Sequence, residues 1–149
     1  MRATTLFLIA LVAWTMGSGC EQAAPTSAHA NSNPNSPAIF SRKSFDDAKK
    51  DAQAANKLLV VDATASWCGP CKRMDKTTWV ASGVIAWMNE HSLAVQIDVD
   101  EDKPLAQLLK IRAMPTVIVF KDGQEVDRSV GYLTPEELLS WLNGALKKV

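Results

Sequence analysis

The chain has 149 residues, and its 16 Lys and Arg balance 16 Asp and Glu, so the formal net charge is +0. No basic stripe interrupts this balance, which excludes nucleic acid as an expected partner. A hydrophobic content of 47% and a charged content of 21% are typical of a soluble globular domain with a hydrophobic core. The three cysteines are too few for a disulfide scaffold.

Residues 1–20 predict an export signal. Arg2 gives a positive start, and the apolar stretch from Leu6 to Met16 is shorter than the roughly 18 residues that span a bilayer. The following Gly-Ser-Gly-Cys run ends at Cys20 and resembles the lipidation site of bacterial lipoproteins, in which the cysteine becomes the mature N-terminus. The alternatives are cleavage after Ala30 and an uncleaved anchor. All three place the domain outside the cytoplasm.

Residues 21–37 predict a flexible linker ahead of a domain over 38–149. The linker is rich in Ala, Ser, Asn and Pro and holds no large apolar residue, so it cannot bury enough surface to fold. His29 lies in the linker, and His91 follows a helix-like run. Two isolated histidines make neither a metal site nor a Cys–His nucleophile pair.

Helix and strand signals alternate within the domain. Ser44, with Asp47 three residues later, predicts the N-cap of a helix that ends near Asn56. The apolar run Leu58–Ala63 is typical of a buried parallel strand. The later predicted elements are helices from about Gly69 and from an N-cap at Ser82, a strand over Leu93–Val99, a helix over Lys103–Ile111, strands Pro115–Phe120 and Glu125–Val130, and a helix opened by Thr134-Pro135-Glu136-Glu137. This order implies an α/β fold with a central mixed sheet and helices on both faces.

Two cysteines, Cys68 and Cys71, flank Gly69 and Pro70 at the start of a predicted helix. A thiol at this place lies near exposed backbone N–H groups and the positive end of the helix dipole, which both favour the reactive thiolate. The pair therefore indicates a dithiol/disulfide switch. The alternatives are an inert disulfide, which would have little entropy to remove from so short a loop, and a metal clip.

From Ala38 onward the chain resembles the thioredoxin superfamily. The shared motifs are Asp62, the run Trp67-Cys68-Gly69-Pro70-Cys71-Lys72, Met114-Pro115-Thr116, Lys121-Asp122-Gly123 and Val130-Gly131. The run from Arg73 to Trp79, Val84 and the run Asp98-Val99-Asp100 are similar to an envelope branch that includes the C-terminal domain of membrane thiol–disulfide interchange proteins. The resemblance implies a thioredoxin-like fold.

The resemblance also implies roles for three residues. Cys68 is the expected nucleophile and should be partly exposed, whereas Cys71 should be more buried and resolve the mixed disulfide. Asp62 is expected to handle the proton of Cys71, with a pKa raised by its apolar surroundings; the alternative is an exposed strand edge. Gln96 stands where thioredoxins often carry a lysine that pairs with this aspartate.

Other motif residues are expected to tune the pair. Gly69 and Pro70 stand between the cysteines, as in members that are mostly reductants, and Lys72 completes the motif. Trp67 is expected to pack beside Cys68 and limit water access. Trp79 is interpreted as a core residue.

Pro115 is expected to be cis and to face the cysteines, which would leave the backbone of Met114 free to pair with an extended substrate peptide. The alternative is an ordinary trans proline at a strand start. Gly131 is expected to let the substrate backbone approach.

The expected function is reduction of protein disulfides in the bacterial envelope. The expected partners are protein substrates, a membrane thiol–disulfide electron donor and, through Cys20, the membrane itself; we expect a monomer without cofactor or resident metal. One alternative is a disulfide oxidase or isomerase. Another is a non-enzymatic module in which both thiols, with Met114 as a third ligand, hold a soft metal such as Cu(I).

Overall fold

The computed structural model describes residues 34–149. The predicted signal at 1–20, its Cys20 and most of the predicted linker lie outside these residues. Pro37 is buried, and its carbonyl accepts a hydrogen bond from the Phe40 N–H at 3.0 Å. The packed structure therefore begins shortly before the predicted boundary at Ala38. Within the described residues, no helix has the length and apolar character needed to cross a membrane.

The elements follow the predicted order. They are α1 Phe45–Ala54, β1 Leu58–Thr64, α2 Gly69–Thr77, α3 Ser82–His91, β2 Ser92–Asp98, α4 Lys103–Leu108, β3 Thr116–Lys121, β4 Gln124–Val130 and α5 Pro135–Leu146. Helix α4 ends earlier than predicted, because Lys110 has a φ of 54°, which no α-helix continues.

The four strands form one mixed sheet in the order β2-β1-β3-β4. Strand β1 pairs in parallel with β2 and antiparallel with β3, and β4 pairs antiparallel with β3. Every residue of β1 is buried, as the continuous apolar run predicts for a central strand. In the β1–β2 register Asp62 lies opposite Gln96, so one polar pair lies within the apolar centre of the sheet.

Helices cover both faces of the sheet, as predicted. Alternate residues of β1 point to opposite faces, so Leu58 and Val60 join one core cluster and Leu59 and Val61 join the other. Helices α2, α3 and α5 contribute to the first cluster, and α1 and α4 contribute to the second. Asp62 follows Val60 by two residues on β1, so its side chain points to the same face of the sheet, which α2 covers.

Local capping explains where most helices begin. The Ser44 side chain accepts from the Asp47 N–H at 3.1 Å, and Thr134 and Glu137 form a reciprocal capping box at α5, both as predicted. The prediction for α3 is wrong by one residue. Ala81 is its N-cap and offers no side-chain hydrogen bond, whereas Ser82 is the first helical residue.

Candidate active site

Cys68 and Cys71 form a disulfide at the N-terminus of α2, with an S–S distance of 1.98 Å. Cys68 is the N-cap residue, and Pro70 lies in the first turn, where its missing N–H costs no hydrogen bond. The Cys71 N–H donates to Cys68 Sγ at 3.2 Å. A backbone donor therefore already points at the sulfur that would become a thiolate on reduction, as the helix-start position predicts.

Both cysteines are buried in this disulfide form. Cys68 is 4% exposed and Cys71 is 1% exposed, and both pack with Ala65, Val99 and Met114. The prediction that Cys68 is partly exposed is therefore wrong for the oxidised state. The apolar neighbours close over both sulfurs, so access to Cys68 depends on the loops around it.

Trp67 is largely exposed and is hydrogen-bonded to the loop after β2. Its side chain is 66% exposed, and its indole N–H donates to Asp100 Oδ2 at 2.8 Å. That the ring packs beside Cys68 and limits water access stays a prediction. Next to Cys68 in the chain, Trp67 presents a large apolar surface to solvent.

Asp62 is a buried carboxyl on the central strand. It is 2% exposed, and its Oδ2 accepts from Gln96 Nε2 at 2.9 Å. Burial raises its pKa from 3.8 to about 7, against the lowering effect of the Gln96 hydrogen bond. The predicted raised pKa is confirmed in direction, and the alternative of an exposed strand edge is wrong. A carboxyl that titrates near neutrality suits general acid–base work.

Sequence reasoning missed Asp75, which lies on α2. The Gln96 amide bridges two carboxyls, since the same Nε2 also donates to Asp75 Oδ1 at 2.9 Å. Burial raises the pKa of Asp75, and the charge of Asp75 in turn raises that of Asp62. Its position four residues after Cys71, on the same helix face, is the sequence signal that could have found it.

A cavity of about 360 Å³ opens beside this pair of carboxyls. Asp75 and Lys72 of α2 line one side of it, and Thr64 and Ser66 at the end of β1 line another. Pro34, Asn35, Ala65, Asp98 and Glu101 complete its lining. The cavity brings Asp75 to the surface, whereas Asp62 stays behind Gln96.

Pro115 and Gly131 meet on the sheet side of the site. The Met114–Pro115 peptide is cis, as predicted, and the Pro115 carbonyl accepts from the Gly131 N–H at 2.8 Å. Gly131 has a φ of 105°, which favours glycine, and nothing lies within 4 Å of the place a Cβ would take. Met114 packs against the cysteine pair. The structure therefore places Met114 against the disulfide and joins its neighbour Pro115 to Gly131 by a backbone hydrogen bond.

Across residues 34–149, no group of three or more His, Cys, Asp or Glu side chains is arranged to hold a metal ion.

The fold and this site place the chain among known proteins. Residues 45–146 match the thioredoxin-like domain family, and the chain belongs to it. It is 42% identical over 87 residues to Thioredoxin-2 of Pyricularia oryzae, over 58% of this chain and 48% of that protein. The chain thus spans about half the length of this relative.

Two solved structures share the fold. A thioredoxin from Thermus thermophilus has a TM-score of 0.64 and 24% identity, over 70% of this chain and 85% of the other. A DsbH oxidoreductase has a TM-score of 0.63 and 19% identity, over 77% of this chain and 90% of the other. At these identities, both structures support the architecture alone.

Proposed function

We propose that the chain is a thiol–disulfide oxidoreductase that reduces disulfides in proteins of the cell envelope. One observation carries the proposal: a Cys-Gly-Pro-Cys disulfide caps α2, with the Cys71 N–H directed at Cys68 Sγ at 3.2 Å. The family membership of residues 45–146 and the thioredoxin among the relatives support the same chemistry. The Gly69-Pro70 pair supports the reducing direction, since known members with it are mostly reductants.

The proposed cycle transfers two electrons from the dithiol to the substrate. The Cys68 thiolate attacks one sulfur of a substrate disulfide, so a mixed disulfide forms and the other substrate sulfur leaves as a thiolate. The Cys71 thiol then gives its proton to the Asp62 carboxylate and attacks Cys68 Sγ. The mixed disulfide breaks, the second substrate thiolate leaves, and the Cys68–Cys71 disulfide is restored.

Asp62 supplies the proton handling in this cycle. A carboxyl with a pKa of about 7 is partly ionised at neutral pH, so it can both accept the Cys71 proton and return it. An ordinary surface carboxyl would be too weak a base for this step. Gln96 holds the accepting group in place through its hydrogen bond to Oδ2.

The location and the electron donor are part of the proposal. The export signal at 1–20 and Cys20 support an envelope protein attached by a lipid anchor. A reductant outside the cytoplasm needs electrons passed across the membrane, so we propose a membrane thiol–disulfide transporter as donor. The linker predicted over 21–37, if it behaves as a flexible coil, would separate the domain from its anchor by an r.m.s. distance of roughly 20–25 Å.

Trapping of mixed disulfides tests the activity. Cys71→Ser removes the resolving thiol, so substrate proteins should accumulate in cells as adducts on Cys68 that a reductant releases. The matched control is the double variant with Cys68→Ser, which should trap nothing. A Cys71→Ser protein that is folded and forms no adducts would contradict the proposal.

The reduction potential decides the direction of exchange. A value close to the about −270 mV of thioredoxin supports reduction, whereas a value close to the about −120 mV of DsbA supports an oxidase. The measurement is equilibration of the full chain with a glutathione buffer, read by alkylation of free thiols.

A further inference from the structure

Three buried polar side-chain atoms have no hydrogen-bond partner among the described residues. They are Asp62 Oδ1, Gln96 Oε1 and Trp79 Nε1. Two of them are acceptors, and the indole N–H is a donor. Buried polar groups in native proteins are nearly always paired. Trp79 Nε1 therefore lacks an acceptor, and Asp62 Oδ1 lacks a donor.

Packing fixes the Trp79 ring close to Asp62. Its side chain is fully buried in the cluster that contains Val60 and Met74, and its ring meets Phe40 edge-on at 4.9 Å between centroids. The Trp79 side chain acts as a donor that lowers the pKa of Asp62, although its N–H has full hydrogen-bonding geometry with no described acceptor.

The other groups around Asp62 offer little to stabilise its charge. The neutral Gln96 lies opposite Asp62 on β2, and the apolar Val117 lies opposite Asp62 on β3. The titratable groups come from α2: Asp75, which opposes ionisation, and the Cys71 thiol once the disulfide is reduced. The buried residues of α3 and α5 in this layer are Val84, Trp87, Met88, Leu138, Leu142 and Ala145, and none of them titrates. An ionised Asp62 therefore depends on neutral donors.

We propose that Trp79 is a positioning residue for Asp62: its indole N–H donates to Oδ1 when the carboxyl has lost its proton, and this bond opens when the carboxyl is protonated. The inference rests on the proposed function, in which Asp62 takes the proton of Cys71 and returns it. Gln96 holds Oδ2, and Trp79 supplies the second donor. The two neutral donors thus take the place of a cation.

The direction of the effect follows from the charge of the acceptor. A hydrogen bond to a carboxylate is stronger than one to a neutral carboxyl, so the Trp79 bond favours the ionised state. It works against the burial that raises the pKa of Asp62 to about 7. Without the indole N–H, the carboxyl would stay protonated further into the neutral range and would be a poorer acceptor for the Cys71 proton.

The substitution Trp79→Phe tests the role, because it keeps an aromatic ring and removes the N–H. NMR titration of the Asp62 carboxyl carbon in the oxidised full chain measures its protonation directly. We expect the midpoint to rise by about one pH unit, a tenfold increase in proton affinity. The matched control is Trp87→Phe, since Trp87 Nε1 donates to Asn143 Oδ1 at 3.0 Å. In Trp87→Phe, the titration midpoint of Asp62 should equal that of the wild type.

A second measurement needs no change at Trp79. In the wild type, the indole N–H resonance of Trp79, assigned through its contacts with the Phe40 ring, should titrate with the same midpoint as Asp62. In Asp62→Asn this titration should disappear. A Trp79 resonance that stays constant while Asp62 titrates would overturn the inference, as would equal Asp62 midpoints in Trp79→Phe and Trp87→Phe.

These readouts are independent of disulfide reduction. A protein that fails the trapping test but shows the coupled titration would refute the proposed function and leave the Trp79–Asp62 bond in place. A protein that traps substrates but has a constant Trp79 resonance would refute the role of Trp79 alone.

Discussion

Replacement of Asp62 by asparagine should remove a large part of the pH dependence of stability in the oxidised protein. Burial raises the pKa of Asp62 from 3.8 to about 7 in the folded state, whereas the unfolded chain returns it to the ordinary value. Between these two values the folded protein holds a proton that the unfolded chain has released. The unfolding free energy therefore falls as pH rises through this window. Below it both states are protonated, and above it both are ionised.

The structure sets the size of this effect. The two pKa values differ by about three pH units, and each unit corresponds to about 1.4 kcal/mol. The wild type should therefore lose about 4 kcal/mol of unfolding free energy between about pH 4 and about pH 7 through this one group. At 2% exposure, solvent screening does little to reduce the figure. The variant Asp62→Asn has no proton to release, so it should lack this loss.

Urea denaturation of the oxidised wild type and of Asp62→Asn, repeated across the window, measures the difference. The advantage of the variant over the wild type should grow by about 4 kcal/mol as pH rises. The substitution also alters hydrogen bonding, which changes the unfolding free energy by the same amount at every pH. This constant change does not affect the growth of the difference with pH. The control is Glu136→Gln, an exposed carboxyl on α5, which should follow the wild type. The reasoning is refuted if wild type and Asp62→Asn lose the same free energy across the window.

Two further substitutions test the electrostatics and the backbone of the site. Gln96→Lys should place a cation within reach of both carboxyls, since Gln96 Nε2 lies 2.9 Å from an oxygen of Asp62 and 2.9 Å from an oxygen of Asp75. NMR titration of this variant should show a lower pKa for Asp62. An unchanged or higher pKa of Asp62 would contradict the geometry. Gly131→Ala should lower the unfolding free energy by about 1–2 kcal/mol, because a Cβ is strained at its φ of 105°. Gly144→Ala on α5, which also has free space at Cβ, should not destabilise, and equal losses in both would contradict the strain argument.

Most of the fold could be predicted because its signals are local. The apolar run of β1 marks a central strand, and the Thr134 capping box marks the start of α5. The position of the cysteine run, after the apolar strand and at the opening of a helix-like segment, likewise placed Cys68 at the start of α2. The wrong prediction at Ser82 also concerns a local signal. Serine is a common N-cap residue, but Ser82 is the first helical residue of α3, and the N-cap is Ala81, which makes no side-chain hydrogen bond.

The resemblance added what local signals do not contain. The cis peptide at Pro115 was expected from the shared motifs, and the structure has it. Gln96 was expected at the place of a lysine that pairs with the aspartate in thioredoxins, and the structure shows that its amide donates to Asp62. The resemblance did not indicate the hydrogen bond from Trp67 to Asp100, because this bond depends on which acceptor the loop after β2 brings near the indole.

The sequence by itself determined where most helices and strands begin, that a cysteine pair lies at a helix start, and that a carboxyl lies within an apolar strand. These features depend on neighbours along the chain. Only the tertiary structure decided what surrounds that carboxyl. Gln96 lies on β2, whereas Asp75 and Trp79 lie at the end of α2 and in the turn after it, and all three act on Asp62 because the sheet register and the packing of α2 bring them near it. The protonation of Asp62 depends on short-range hydrogen bonds and burial, so it is a property of that convergence.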